Sequence, residues 1–201
     1  MPRYSSAAWR AYRPDSQRAV PSAPAPSAGD CLILGLDPGS RRTGYGLVQL
    51  RAGQPVHVTH GCIDTSSAAR TADRGAGLAA RLLRIHEAVS ELVAAHRPAE
   101  IAIERVFLHK NADSALKLGQ ARGAALCAAV ALGAAAHEYA PRAIKQAVTG
   151  YGGAEKGQVG HMIALLLQLD TAPPPDAADA LAIAICHAQS RRLAGLLGNS
   201  P

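Results

Sequence analysis

Aromatic side chains are scarce in this chain, and long apolar runs are missing. Aromatics make up 3% of its 201 residues, and Phe107 is the single phenylalanine. No stretch approaches the roughly 20 apolar residues that cross a bilayer, so the sequence reads as that of a soluble, cytoplasmic protein with no membrane partner. Cysteine is sparse as well. Cys31, Cys62, Cys127 and Cys186 are far apart and form no C-x-x-C pair, which speaks against a zinc ribbon and a disulfide framework. Each sits inside an apolar run and is read as a buried thiol in a reducing compartment. Negative charge is in the minority, with 15 Asp and Glu against 21 Lys and Arg. A formal charge of +6 favours a polyanionic partner, because cations that neutralise phosphates release condensed counterions.

Residues 1–30 differ in composition from the rest of the chain. They are rich in Ser, Ala, Pro and Arg and carry no helical or strand period. Such a segment cannot bury enough apolar surface to offset its chain entropy, so a disordered tail is expected. Its four arginines and two acids would suit a DNA-attracting arm, and the Arg- and Ser-rich start resembles a transit peptide. With no apolar helical face beside the charges, a passive extension or a start codon set too far upstream is the favoured reading. One domain is expected over 31–193, followed by a flexible end, 194–201.

From Cys31 the pattern is α/β. Leu32–Leu36 reads as a buried strand ending at Asp37. Thr43–Leu50 and Val56–Ile63 follow as strands around a turn at Ala52–Pro55, which makes an antiparallel meander. A helix is expected from Thr71 to His96, a short strand at Glu100–Glu104, and a second helix from Ala112 to Leu132. The last strand falls near His137–Tyr139. Pro141 suits the first turn of a helix through Val148. Two further helices are expected over Glu155–Leu169 and Asp176–Leu193.

Cores exclude charge, so carboxylates at the ends of apolar strands need a reason. Asp37 follows one such strand and precedes a Pro38-Gly39-Ser40 turn; Glu104 ends another. In open α/β sheets these ends line the ligand edge. Asp176 and Asp179, three apart after Pro173-Pro174-Pro175, share one face of a first helical turn. Four carboxylates from three elements facing one point would describe a Mg²⁺ site, with hard oxygen ligands and water completing the shell. Two ions about 4 Å apart can stabilise the attacking and leaving oxygens of a phosphoryl displacement; Mn²⁺ would serve as well. Each acid also has a plainer role: Asp176 and Asp179 as cap and first-turn partner, Asp37 as a turn residue. Glu104 is harder to dismiss, because Glu is a poor strand former.

Several segments resemble a known family. Asp37-Pro38-Gly39-Ser40 with Thr43-Gly44-Tyr45-Gly46 is similar to the opening motif of the RuvC family of Holliday-junction resolvases. Glu104-Arg105-Val106-Phe107 and the segment from Lys110 to Gly123 resemble its most distinctive stretch. Lys145-Gln146, Gly150-Tyr151-Gly152, Ala154-Glu155-Lys156, Gln158-Val159, His161-Met162 and Asp176–Leu181 continue the likeness in order over about residues 31–190. The resemblance implies a ribonuclease-H-like fold, a mixed five-stranded sheet flanked by helices. It implies a homodimer that nicks opposed strands of a four-way DNA junction in recombination and repair, leaving 5′-phosphates and 3′-hydroxyls. It also implies Asp37, Glu104, Asp176 and Asp179 as metal-binding catalytic acids, and RuvA and RuvB as branch-migration partners.

Phe107, in a polar loop with His109, Lys110 and Asn111, is read as stacking on an unpaired base, with folding back onto the core as the alternative. Lys110, Lys117, Arg122, Lys145 and Lys156 are candidate phosphate contacts. Ala115, Gly119, Gly123, Cys127 and Ala131 form a stripe of small residues, read as packing against the sheet rather than as a dimer contact. His161 and His187 are read as ordinary helix residues. Rival readings are an actin-like ATPase phosphate loop at Asp37–Gly46, a nuclease of the same fold acting on RNA, and a catalytically inactive junction-binding module. The first needs two such domains; the Phe107–Gly123 segment argues against the second, and the presence of all four acids against the third.

Overall fold

β1 (Cys31–Asp37) is apolar almost throughout, and Ile33, Leu34 and Leu36 are fully buried. A strand apolar on both faces has to lie inside a sheet covered above and below. The structure, a computed structural model, describes residues 30–66, 77–105, 112–131 and 133–196. In it β1 is central to a five-stranded sheet of order β3-β2-β1-β4-β5. β2 (Arg42–Arg51) and β3 (Gln54–Asp64) form the antiparallel meander with β1. β4 (Glu100–Glu104) and β5 (Ala135–Tyr139) run parallel to β1. The β2–β3 turn is tighter than the sequence suggests. Ala52 and Gly53 carry φ of 47° and 78°, the left-handed pair of a two-residue hairpin loop, and Pro55 joins the edge strand.

Among the described residues five helices flank the sheet: α1 (Gly77–His96), α2 (Ala112–Val130), α3 (Pro141–Thr149), α4 (Lys156–Leu166) and α5 (Pro175–Leu196). The start expected for α1 at Thr71 lies outside the described residues. α1 and α2 cover one face, setting Ile85, Val89, Ala121 and Ala125 against Leu34, Leu36, Ile101 and Ile103. α5, backed by α3 and α4, covers the other with Leu181 and Ile185 against Ile33, Val48 and Ala102. Every residue of α5 from Ala180 to Ala188 is buried. Among the described residues no helix is long and apolar enough to cross a membrane.

Two expectations fail. Only Cys31 and Cys186 are buried; Cys62 and Cys127 are exposed, because the edge strand β3 and the outer side of α2 leave them uncovered. The small-residue stripe of α2 does not pack on the sheet. A Cβ on Gly119 or Gly123 would meet nothing among the described residues, while Ala121, Ala125, Ala128 and Ala129 are the buried set. Two residues of offset turn a helix by roughly 200°, so the packed face and the stripe lie on opposite sides.

Candidate active site

β1 and β4 lie side by side and parallel, with Leu36 opposite Ile103, so their carboxyl ends bring Asp37 and Glu104 to one edge. Strand alternation gives Asp37 the face of Ile33 and Gly35, and Glu104 that of Ala102, which is the face α5 covers. The helix crosses at close range. A Cβ on Gly44 would lie 1.9 Å from the Asp176 carbonyl oxygen, and one on Gly35 2.1 Å from that of Ala180. Glycine at both points lets the helix backbone rest on the strands. Its first turn, opened by Pro175, then carries Asp176 and Asp179 to Asp37.

Asp37 lies within electrostatic reach of the other three acids. Burial pushes the Asp37 carboxyl up to about 7, helped by the charges of Asp179, Glu104 and Asp176 and opposed by Lys156. Lys156, at the start of α4, donates to Asp179 Oδ2 at 3.1 Å, and this bond raises its own proton affinity. Arg42 Nη1 lies 3.8 Å from Asp176 Oδ2, and the Cys62 thiol donates to the same oxygen at 3.6 Å. Partial desolvation of its sulfur on the side facing Asp176, then the Asp176 charge, pushes that thiol's proton affinity up although the residue is exposed overall. The loop after Asp37 is fastened from both sides: Thr43 Oγ1 donates to Gly39 O, and Thr65 Oγ1 to Ser40 O and Arg41 O. Beside Asp179 and Lys156 a cavity of about 340 Å³ opens between α4 and α5, with His161 on its wall.

Hard carboxylate oxygens that repel one another in a half-buried cleft fit divalent cations, which restore the ionised form of Asp37. Of the candidate DNA contacts among the described residues, Lys156 pairs with one of the acids, Asp179. Arg122 turns inward, pairing with Glu138 at 2.6 Å and donating from Nε to the Glu104 carbonyl, so it steadies the end of β4. Lys117 pairs with Asp113 one turn back on α2 at 2.5 Å, and Lys145 is half-buried on α3. Phe107 and Lys110 lie outside the described residues. Arg42, Cys62 and Thr65 escaped the sequence reading. Thr43 and Arg42 flank the Asp37 turn and could have been found there; nothing marks Cys62, which reaches Asp176 across 114 positions of chain.

Comparison with known proteins agrees with this geometry. The family model "Crossover junction endodeoxyribonuclease RuvC" matches residues 33–187. A protein of that description from Halorhodospira halophila is 56% identical over 160 residues, 79% of this chain and 90% of its own. One from Legionella pneumophila (strain Corby) is 50% identical over 169 residues, 84% and 93% of the two chains. Among solved structures, Thermus thermophilus RuvC in complex with a Holliday junction substrate superposes with a TM-score of 0.72 at 34% identity, covering 81% of this chain and 96% of that one. The yeast mitochondrial resolvase Ydc2, at 12% identity and a TM-score of 0.57, shares the fold. A mixed sheet with four acids at one edge, found in a chain matched from Ile33 to His187, places this protein in the RuvC family of crossover junction endodeoxyribonucleases.

Proposed function

We propose that this protein resolves four-way DNA junctions by metal-dependent hydrolysis, each of two subunits nicking one of two opposed strands. The observation that carries the reading is the gathering of Asp37, Glu104, Asp176 and Asp179 at one edge of the sheet, where burial and then the neighbouring carboxylates push the Asp37 carboxyl up to about 7. These four would hold Mg²⁺, or Mn²⁺, two per site. When bound, the ions supply Lewis-acid stabilisation of the charge that develops on the phosphate. Water adds to phosphorus, the bond to the 3′ oxygen breaks, and the products are a 3′-hydroxyl and a 5′-phosphate that ligase can seal.

The chain's own groups have separate duties. Lys156, four-fifths exposed beside Asp179, offsets carboxylate charge and can meet the scissile phosphate. Arg42 and Cys62 hold the second oxygen of Asp176. Lys117, Arg122 and Lys145 remain candidate phosphate contacts, and Phe107 and Lys110 candidate contacts at the junction centre. The outward stripe of Gly119, Gly123 and Cys127, beside exposed Leu116 and Val130, offers a surface for the second subunit. RuvA and RuvB are the partners the family implies, and the cytoplasm is the compartment that fits.

The test is a labelled four-way junction, a linear duplex and an RNA–DNA hybrid, each with Mg²⁺ or EDTA. Paired nicks on the junction alone, dependent on Mg²⁺, are expected. Asp37→Asn should bind the junction and fail to cut it. Cutting of the hybrid, or loss of binding in Asp37→Asn, would overturn the substrate or the assignment respectively.

A further inference from the structure

A second polar cluster lies at the other end of β4 from Glu104. Glu100 Oε2 is 2.5 Å from His187 Nε2 on α5, and Glu100 Oε1 accepts a close charge-assisted bond from Arg191 Nη1. His187 is 1% exposed, and its Nδ1 is 2.6 Å from the Tyr139 hydroxyl on β5. His137, on the same face of β5 as Tyr139, sets its ring 4.4 Å from that of His187. One ligand atom from each of Glu100, His137 and His187 falls within 4.8 Å of the other two. We propose that Glu100, His137 and His187 form a site for a borderline divalent cation, Zn²⁺ foremost, separate from the four-carboxylate cluster.

The donor set sets the metal class. Two imidazoles and one carboxylate suit Zn²⁺, Co²⁺ or Ni²⁺, whereas Mg²⁺ prefers oxygen alone. Outer-shell partners are already in place for two of the three ligands. Arg191 holds Glu100 Oε1 and leaves Oε2 to the ion. Tyr139 holds His187 Nδ1, and a hydroxyl both donates and accepts. It can therefore keep either tautomer satisfied, so Nε2 can turn from donor to ligand without stranding a buried polar atom. Burial keeps His187 neutral, as a ligand must be.

His137 and Glu100 are partly exposed, which gives the ion a way in. Arg191 cancels the Glu100 charge, so the ion adds its full charge to a neutral cluster, and affinity is set by the imidazoles. With hydrogen bonds satisfied in its absence, the fold does not require it. Bound, it would clasp β4, β5 and α5 together. Nothing in this rests on the junction-cutting reading.

Zn²⁺ bound by the full-length chain, stripped with a chelator first, tests the proposal. The measurement uses an Asp37→Asn, Glu104→Gln background so that the acid cluster does not compete. One Zn²⁺ per chain should remain, with a higher Tm, and Co²⁺ in its place should show the visible bands of low coordination number. His137→Gln, a change at a part-exposed position, should weaken binding at least ~10-fold and remove those bands while circular dichroism stays unchanged. Absence of bound Zn²⁺, or equal binding in His137→Gln, would overturn the site. Loss in His57→Gln instead would also do so, moving the ion to the His57–His60 pair, whose ring nitrogens lie 2.8 Å apart.

Discussion

The two ends of the β4–α5 layer treat buried charge in opposite ways. At the Glu104 end, four carboxylates gather with Lys156 and Arg42 paired to two of them among the described residues, and Asp37 is driven up to about 7. At the Glu100 end, burial also works to raise the carboxyl, but the hydrogen bond from His187 and the charge of Arg191 pull it below the usual carboxylate value. One end is short of positive charge and the other is balanced by the chain itself. A half-buried carboxylate that the protein leaves uncompensated costs stability, and it persists where an external cation completes it. The balanced end needs no ion to fold; it can admit one through Glu100 Oε2 and the lone pairs of its two imidazoles.

The largest break in that comparison should come from the uncompensated end. Asp37→Asn should cut junctions at least ~10³-fold more slowly, the several kcal/mol that bound cations supply to the transition state, measured by single-turnover cleavage. Next comes the seat of the helix that carries two of the acids. In Gly44→Ala the new methyl meets a backbone oxygen, which cannot rotate away as a side chain can, so α5 must lift. A loss of about 1–3 kcal/mol in urea unfolding is expected, together with a higher Mg²⁺ requirement for cutting. Unchanged Mg²⁺ dependence would mean the acids do not depend on that contact.

How legible each end was depends on the same physics. Asp37 and Glu104 stand out because they end apolar strands, which the sheet sets side by side and parallel, and Asp176 and Asp179 because their spacing after three prolines puts them on one face of a first helical turn. The glycines of Thr43-Gly44-Tyr45-Gly46 were visible as a motif, but the carbonyl of Asp176 pressed against Gly44 was not. The Glu100 network left no local trace. Its partners are 87 and 91 positions away, and Glu100 looked like the ordinary start of a strand. The stripe on α2 was assigned to the wrong side because alanine and glycine surround the helix, so neither face contrasts with the other.

Glu100→Gln probes the balanced end. It leaves Arg191 without its carboxylate, but Arg191 is about a quarter exposed and can turn to water. The expected loss is therefore about 1–2 kcal/mol in urea unfolding rather than the larger figure for a sealed pair. A loss as great as that in Gly44→Ala would mean that the cluster, and not the crossing at Gly44, fixes α5.

The pH dependence is the most diagnostic, because the two ends push stability in opposite directions as pH changes. Asp37 binds its proton more tightly in the folded chain, near 7 against an ordinary 3.8. Its contribution is thus complete below about pH 4 and is lost as pH rises toward 7. His187 is held neutral by burial, so its contribution is complete above its ordinary value and is lost as pH falls below about 6.5. Glu100, with a depressed value, is complete above its ordinary 4.5 and lost further into acid. Between pH 4 and 6.5 the Asp37 and His187 slopes oppose each other, and the raw profile of the chelator-treated protein understates both. Subtracting the Asp37→Asn profile isolates the first slope: the variant should gain on the parent steadily from pH 4 to 7 and hold a constant lead above. Mg²⁺ should erase that lead, since a bound cation favours the ionised carboxylate that burial, with its neighbours' charge added, had penalised. If the lead survives saturating Mg²⁺, Asp37 does not ligate the cation and the four acids do not share an ion.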